Sequence, residues 1–164
     1  MQNNEIVESK KNDGKRLQLM TTCEMLSAAG LSLVELTKRA AVWVNGDEVC
    51  EPSFLLSLEG CLKQRFHYDY DFPPDLPPLV VPRSCILGID AFELELGPGV
   101  FAGASTDKCS KLTVCVKRGD LLVFRGDLWH AGAMSSVECM RLHWFHDQPT
   151  VPGGSHPSGY TIMG

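Results

Sequence analysis

The strongest constraint on this fold is the punctuation of the chain beyond Arg65. Short stretches rich in Val, Ile, Leu and aromatic residues alternate with Gly and Pro as far as His146. Such stretches read as strands closed by turns rather than as helices. Phe72–Pro78 is a loop, because its prolines have no N–H to give a ladder. Cys85–Leu96 carries Ile86, Leu87, Ile89, Phe92, Leu94 and Leu96 and is strand-like, with Gly97-Pro98-Gly99 ending it. Lys111–Val116 alternates, Arg118-Gly119-Asp120 turns, and Leu121–Phe124 is a short buried strand. Gly126-Asp127 turns again, and Cys139–His146 is the last strand.

The other half of the chain differs. Residues 1–15 are polar and read as a flexible arm. Leu17, Leu19, Met20, Met25, Leu26 and Ala29 fit a helical stripe over Leu17–Ala29, with Gly30 as its C-cap. Ser32 opens a second helix to about Val44, and Asn45-Gly46-Asp47 turns. Residues 52–63 fit a short helix or a strand. The expected organisation is one domain over 16–150, with helices at about 17–44, a β core at about 60–147 and a loop-like tail over 151–164. A chain of 164 residues buries enough surface to hold such a core without disulfides.

The formal net charge of −5 speaks against a general nucleic-acid binder, which needs a basic face. The seven cysteines include no Cys-x-x-Cys pair, and the polar N-terminus is no signal peptide. No apolar stretch reaches the roughly 20 residues of a membrane helix. These features lead us to expect a reduced, cytoplasmic protein. The sequence sets no oligomeric state.

Three segments carry chemistry. In Arg65–Phe72, strand alternation puts Arg65, His67, Asp69 and Asp71 on one face and Phe66, Tyr68, Tyr70 and Phe72 on the other. His67 and Asp69, two positions apart, can reach one small ion and would supply two ligands of a 2-His-1-carboxylate iron site. A solvated polar face is the other reading. In Arg118–Gly132, His130 stands beside a Gly-rich turn, where it can approach a metal or bond to backbone in a core. In Cys139–His146, Arg141, His143 and Phe145 share one face. A mid-strand Arg among apolar neighbours is costly without an anion, and its fork suits a carboxylate. Otherwise it is a surface Arg on an edge strand. His143 is a pocket residue or a packed one. His146 falls at a strand end and His156 in a solvated tail, whereas Trp129 and Trp144 belong to the core.

In order and spacing these segments together resemble the Fe(II)/2-oxoglutarate-dependent dioxygenases. Asp69 and His130 are 61 positions apart, and His130 and Arg141 are 11 apart. Gln64-Arg-Phe-His67-Tyr-Asp69 and the run Gly119–Gly132 are similar to the phytanoyl-CoA hydroxylase-like branch. The resemblance covers about residues 60–147. It implies a double-stranded β-helix (a cupin-like jelly-roll) behind the N-terminal helices. It also implies Fe(II) held by His67, Asp69 and His130, and 2-oxoglutarate whose 5-carboxylate meets Arg141. The implied reaction hydroxylates a C–H bond of a small molecule or peptide, with O2 consumed and succinate and CO2 released.

There are departures from the pattern. Many members have Arg-x-Ser on the last strand, where this chain has His143. The nucleic-acid dealkylating branch has a second Arg six positions after the first, where this chain has Asp147. Two other readings use the same residues. One is a cupin-like metal protein, either an isomerase or a dioxygenase that does not use 2-oxoglutarate. The other is a non-catalytic β-helix interaction module. Substrate choice would lie in loops 73–82 and 97–110 and in the N-terminal helices.

Overall fold

The computed structural model describes residues 6–8, 15–32, 35–36, 48–69, 83–101, 105 and 109–147. The strands are β1 (Ile6–Glu8), β2 (Arg16–Met20), β3 (Glu48–Ser57), β4 (Arg83–Gly88), β5 (Phe92–Phe101), β6 (Leu112–Val116), β7 (Leu121–Arg125), β8 (Leu128–Gly132) and β9 (Cys139–Asp147). A short helix, α1 (Cys23–Ala28), lies between β2 and β3. A six-stranded sheet runs β1-β2-β3-β9-β4-β7, and a three-stranded sheet runs β6-β5-β8. All named pairs are antiparallel. From β3 onward the chain passes repeatedly between the two sheets, which is a jelly-roll wrapping.

Alternation along the central strands builds two apolar layers. On β4, Cys85 and Leu87 join Leu142 and Trp144 of β9 and Leu26 of α1 on the outer face of the large sheet. Ile86, one residue out of phase, packs with Phe92, Leu94, Val116 and Phe124 between the sheets. Trp144 is fully buried in the outer layer. The inward face of β9 then carries Arg141, His143 and Phe145, so a polar site is built inside an otherwise apolar sandwich.

The expected N-terminal helices are corrected here. Leu17 and Leu19 fit a period of two as well as a helical stripe, and pairing of β2 with β3 from Arg16↔Ser57 to Met20↔Ser53 wins. The helix shrinks to Cys23–Ala28, capped by the Thr22 hydroxyl, which accepts from Met25 N at 3.2 Å. Gly30 follows with φ 79, the left-handed conformation that glycine adopts freely. Ser32 caps a further turn at Glu35 and Leu36, with Glu35 N 3.3 Å from its hydroxyl. The remainder of the second expected helix, to Val44, lies outside the described residues. Ile6–Glu8, in the stretch expected to be an arm, pairs with β2.

Cys85–Leu96 is two strands in different sheets. The Asp90 carboxylate marks the corner between them by accepting from Met140 N at 3.0 Å. β5 does not stop at Gly97-Pro98-Gly99. It bulges there and resumes pairing at Phe101↔Leu128. Gly97 is required in the bulge, because a Cβ would sit 2.6 Å from the Trp129 ring. The segment before Asp69 is likewise no regular strand. It is tied to β8 by a single bridge, His67↔His130. Tyr70, Asp71 and Phe72 lie outside the described residues.

Candidate metal centre

Residues 64–69 run along the free edge of β8. His67 N donates to His130 O at 2.8 Å and His130 N returns a bond to His67 O at 3.0 Å. Gln64 anchors the start of the segment. Its N–H bonds Gly132 O and its Oε1 accepts from Gly132 N, both at 2.9 Å. Asp69 N bonds Gly126 O at 2.9 Å and fixes the far end. Phe66 turns to the opposite side and stacks on Trp129 with ring centroids 4.1 Å apart. The aromatic face expected of this segment is thus seen at Phe66.

This frame brings His67, Asp69 and His130 together, with one potential ligand atom of each within 4.8 Å of the others. Asp69 Oδ1 lies 3.9 Å from His67 Nε2 and 3.5 Å from His130 Nε2. The other nitrogens are already committed. His67 Nδ1 is 2.9 Å from Arg65 O, and His130 Nδ1 is 2.8 Å from Leu128 O. A carbonyl can only accept, so each Nδ1 carries a proton, and in the neutral imidazole that binds a metal each Nε2 presents its lone pair on the side of Asp69 Oδ1. The second carboxylate oxygen, Oδ2, accepts from the Ser84 hydroxyl and lies 3.7 Å from His143 Nε2. One oxygen of Asp69 is therefore held from behind while the other faces two imidazoles. This donor set fits a divalent transition metal.

The electrostatics follow from burial. Burial opposes the charge on Asp69, but the nearby His130 and His143 outweigh it and hold the carboxyl well below its ordinary range. Burial works against a charged His130, yet Asp69 overcomes it and raises the imidazole. Burial, followed by the neighbouring His130, lowers His67.

Arg141 lies on the same face of β9 two residues from His143, so the two positions are about 7 Å apart. It is buried, with Cζ 5.2 Å from the Phe92 ring centroid. Its NH1 donates to Ser57 Oγ at 3.3 Å, and its Nε meets no acceptor. It forms no ion pair with a carboxylate among the described residues. Burial, followed by the adjacent Arg16 cation, pulls the guanidinium below its ordinary range, to about 10.

Arg16, Ser57 and Ser84 are site residues that sequence reasoning missed. Arg16 NH1 donates to Ser57 Oγ at 2.9 Å, while NH2 reaches Leu62 O at 3.0 Å and Ala133 O at 2.6 Å. The available signal was the alternation of Arg16 and Gln18 with Leu17 and Leu19, which a helical reading hides. His146 is buried on β9, and His156 lies outside the described residues.

No family model matches the chain, and neither does any curated protein. Solved structures do match. HygX from Streptomyces hygroscopicus, solved with nickel and 2-oxoglutarate bound, superposes with a TM-score of 0.65 at 10% identity, over 90% of this chain and 75% of HygX. The non-heme α-ketoglutarate-dependent carbocyclase SnoK of nogalamycin biosynthesis gives 0.61 at 15% identity, over 93% and 73%. AviO1 from Streptomyces viridochromogenes gives 0.61 at 19% identity over 72% of this chain, which spans 59% of AviO1. At these identities the likeness is one of fold. No helix among the described residues is long and apolar enough to cross a membrane.

Proposed function

We propose that this chain is an Fe(II)- and 2-oxoglutarate-dependent dioxygenase. The observation that carries the reading is the pair of imidazoles whose Nδ1 protons are locked on Arg65 O and Leu128 O, leaving both Nε2 atoms facing one oxygen of Asp69. Fe(II), when bound, supplies the activation of O2 that couples decarboxylation of 2-oxoglutarate to oxidation of a C–H bond. One oxygen atom ends in succinate and the other in the new hydroxyl, with CO2 released.

The chain's own part is placement. His67, Asp69 and His130 would occupy one face of the metal and leave the opposite face open to cosubstrate and O2. Ser84 and His143 would hold the outer oxygen of Asp69, so that its inner oxygen stays aimed. Arg141, about 7 Å along β9 from His143, would take the distal carboxylate of 2-oxoglutarate. That reach suits a five-carbon diacid, whose four carbon–carbon bonds span about 5 Å. The apolar shell of Ile86, Phe92, Leu94 and Phe124 would keep water from the site.

The branch-level likeness rests on Gln64-x-x-His67-x-Asp69 and the run Gly119–Gly132, and Gln64 has a physical role there as the clamp on Gly132. The substrate class we propose is a small molecule or peptide. HygX, which shares this fold, holds hygromycin B. Cys23, Cys61, Cys85, Cys109, Cys115 and Cys139 are free thiols, which suits a reduced, cytoplasmic setting. The test is succinate formation from 2-oxoglutarate with Fe(II), ascorbate and O2, with no substrate added. The wild type forms succinate slowly and Asp69→Ala forms none. Equal succinate from both would remove Asp69 from the metal.

A further inference from the structure

Ser57 sits on the inward face of β3, 1% exposed, and its hydroxyl is in an unusual position. Its Oγ accepts from Arg16 NH1 at 2.9 Å and from Arg141 NH1 at 3.3 Å. A hydroxyl has two acceptor lone pairs and one proton to donate. Both lone pairs are committed to guanidinium groups, so the proton must point elsewhere, and it meets no acceptor among the described residues. Beside it, the Nε–H of the buried Arg141 also lacks an acceptor. Buried donors left unmade are costly. Two such donors at one buried cation suit an anion.

We propose that Ser57 donates its hydroxyl proton to the distal carboxylate of the cosubstrate alongside Arg141, and that Arg16 is the positioning residue that turns this hydroxyl toward it. The proposal rests on the 2-oxoglutarate reading above and adds two residues to it. Arg16 suits the role because its other nitrogen is pinned on Leu62 O and Ala133 O, which fixes NH1 against Ser57. His143, two positions after Arg141, does not fill this place. It is turned toward Asp69, 3.7 Å from Oδ2. A serine from β3 therefore supplies the hydroxyl at the carboxylate, while the last strand spends its own third position on Asp69.

The experiment is calorimetric titration of the Mn(II)-loaded protein, without turnover, using two ligands. One is 2-oxoglutarate. The other is 2-oxopentanoate, which has the same chelating end and a methyl group in place of the distal carboxylate. Ser57→Ala weakens 2-oxoglutarate about tenfold or more, the scale of a hydrogen bond to a charged group. It leaves 2-oxopentanoate within about twofold, as a loss confined to the distal carboxylate requires. Arg16→Lys keeps the charge but loses the fork, and shifts the same selectivity in the same direction. Should Arg16→Lys fail to fold, Ser57→Ala still decides the matter. Ser57→Ala binding both keto acids like the wild type, or losing both alike, overturns the proposal. A wild-type protein that binds Mn(II) but neither keto acid overturns the cosubstrate reading itself.

Discussion

Arg141→Met is expected to stabilise the ligand-free protein while removing its response to 2-oxoglutarate. The wild-type guanidinium is buried, shares Ser57 with a second cation and forms no ion pair with a described carboxylate. Its fall to about 10 corresponds to roughly 3 kcal/mol of unfavourable interaction on the charged form. At neutral pH the group is charged both folded and unfolded, so the whole penalty is present. It shrinks only as pH climbs above about 10. Methionine removes the charge and keeps apolar contact with Phe92. The substitution gives up a long hydrogen bond and the cation's approach to the Phe92 ring, together about 1 kcal/mol. The net gain is about 2 kcal/mol, or about 4–8 °C in melting temperature for a chain of this size.

The assay is thermal and urea unfolding of both proteins, with and without Mn(II) and saturating 2-oxoglutarate. At a hundredfold excess over Kd the ligand stabilises the wild type by about 2.7 kcal/mol, and the variant by far less. The order of stability therefore reverses on adding 2-oxoglutarate. A variant less stable than wild type without ligand would show that Arg141 bears no unrelieved charge, and one that keeps the full ligand-induced gain would show that Arg141 does not hold 2-oxoglutarate.

Two further outcomes follow from the packing around the site. In Gly132→Ala the new Cβ would lie 2.4 Å from Gln64 Oε1 and 3.0 Å from Arg16 NH1. Gln64 is displaced and the Gly132 N–H loses its acceptor, at a cost of about 1–3 kcal/mol in urea unfolding, and metal affinity falls with it. An unchanged midpoint would contradict the clamp. Among the cysteines, burial pushes Cys85 up to about 12, and it should resist iodoacetamide at pH 7.5 in the folded protein. Exposed Cys115 is raised by its hydrogen bond to Glu93, so Glu93→Gln should speed its alkylation, which peptide mass mapping would follow.

The parts legible in the sequence were those fixed by local chemistry. Arg118-Gly119-Asp120 and Gly126-Asp127 bracket β7, and Pro and Gly spacing marked most of the β body, because turn residues act within a few positions. His67 and Asp69 could be placed on one side because alternation survives even where the ladder shrinks to a single bridge. Leu17 and Leu19 were ambiguous, since two leucines satisfy both periods and only pairing with β3 decides between them. The Arg16–Ser57–Arg141 cluster was not legible at all. It joins residues 41 and 84 positions apart, and its polarity makes sense only once three strands lie side by side.

The central claim is that His67, Asp69 and His130 hold an iron to which 2-oxoglutarate chelates. It is tested most directly by anaerobic titration of the metal-free protein with Fe(II) and then 2-oxoglutarate, watching for the weak visible charge-transfer band of the chelate. The expected result is a band that saturates at one equivalent of each and is lost in His130→Ala. Tight Fe(II) binding with no band would contradict the 2-oxoglutarate chemistry and favour a cupin-like metal protein, and no Fe(II) binding would contradict the metal centre itself.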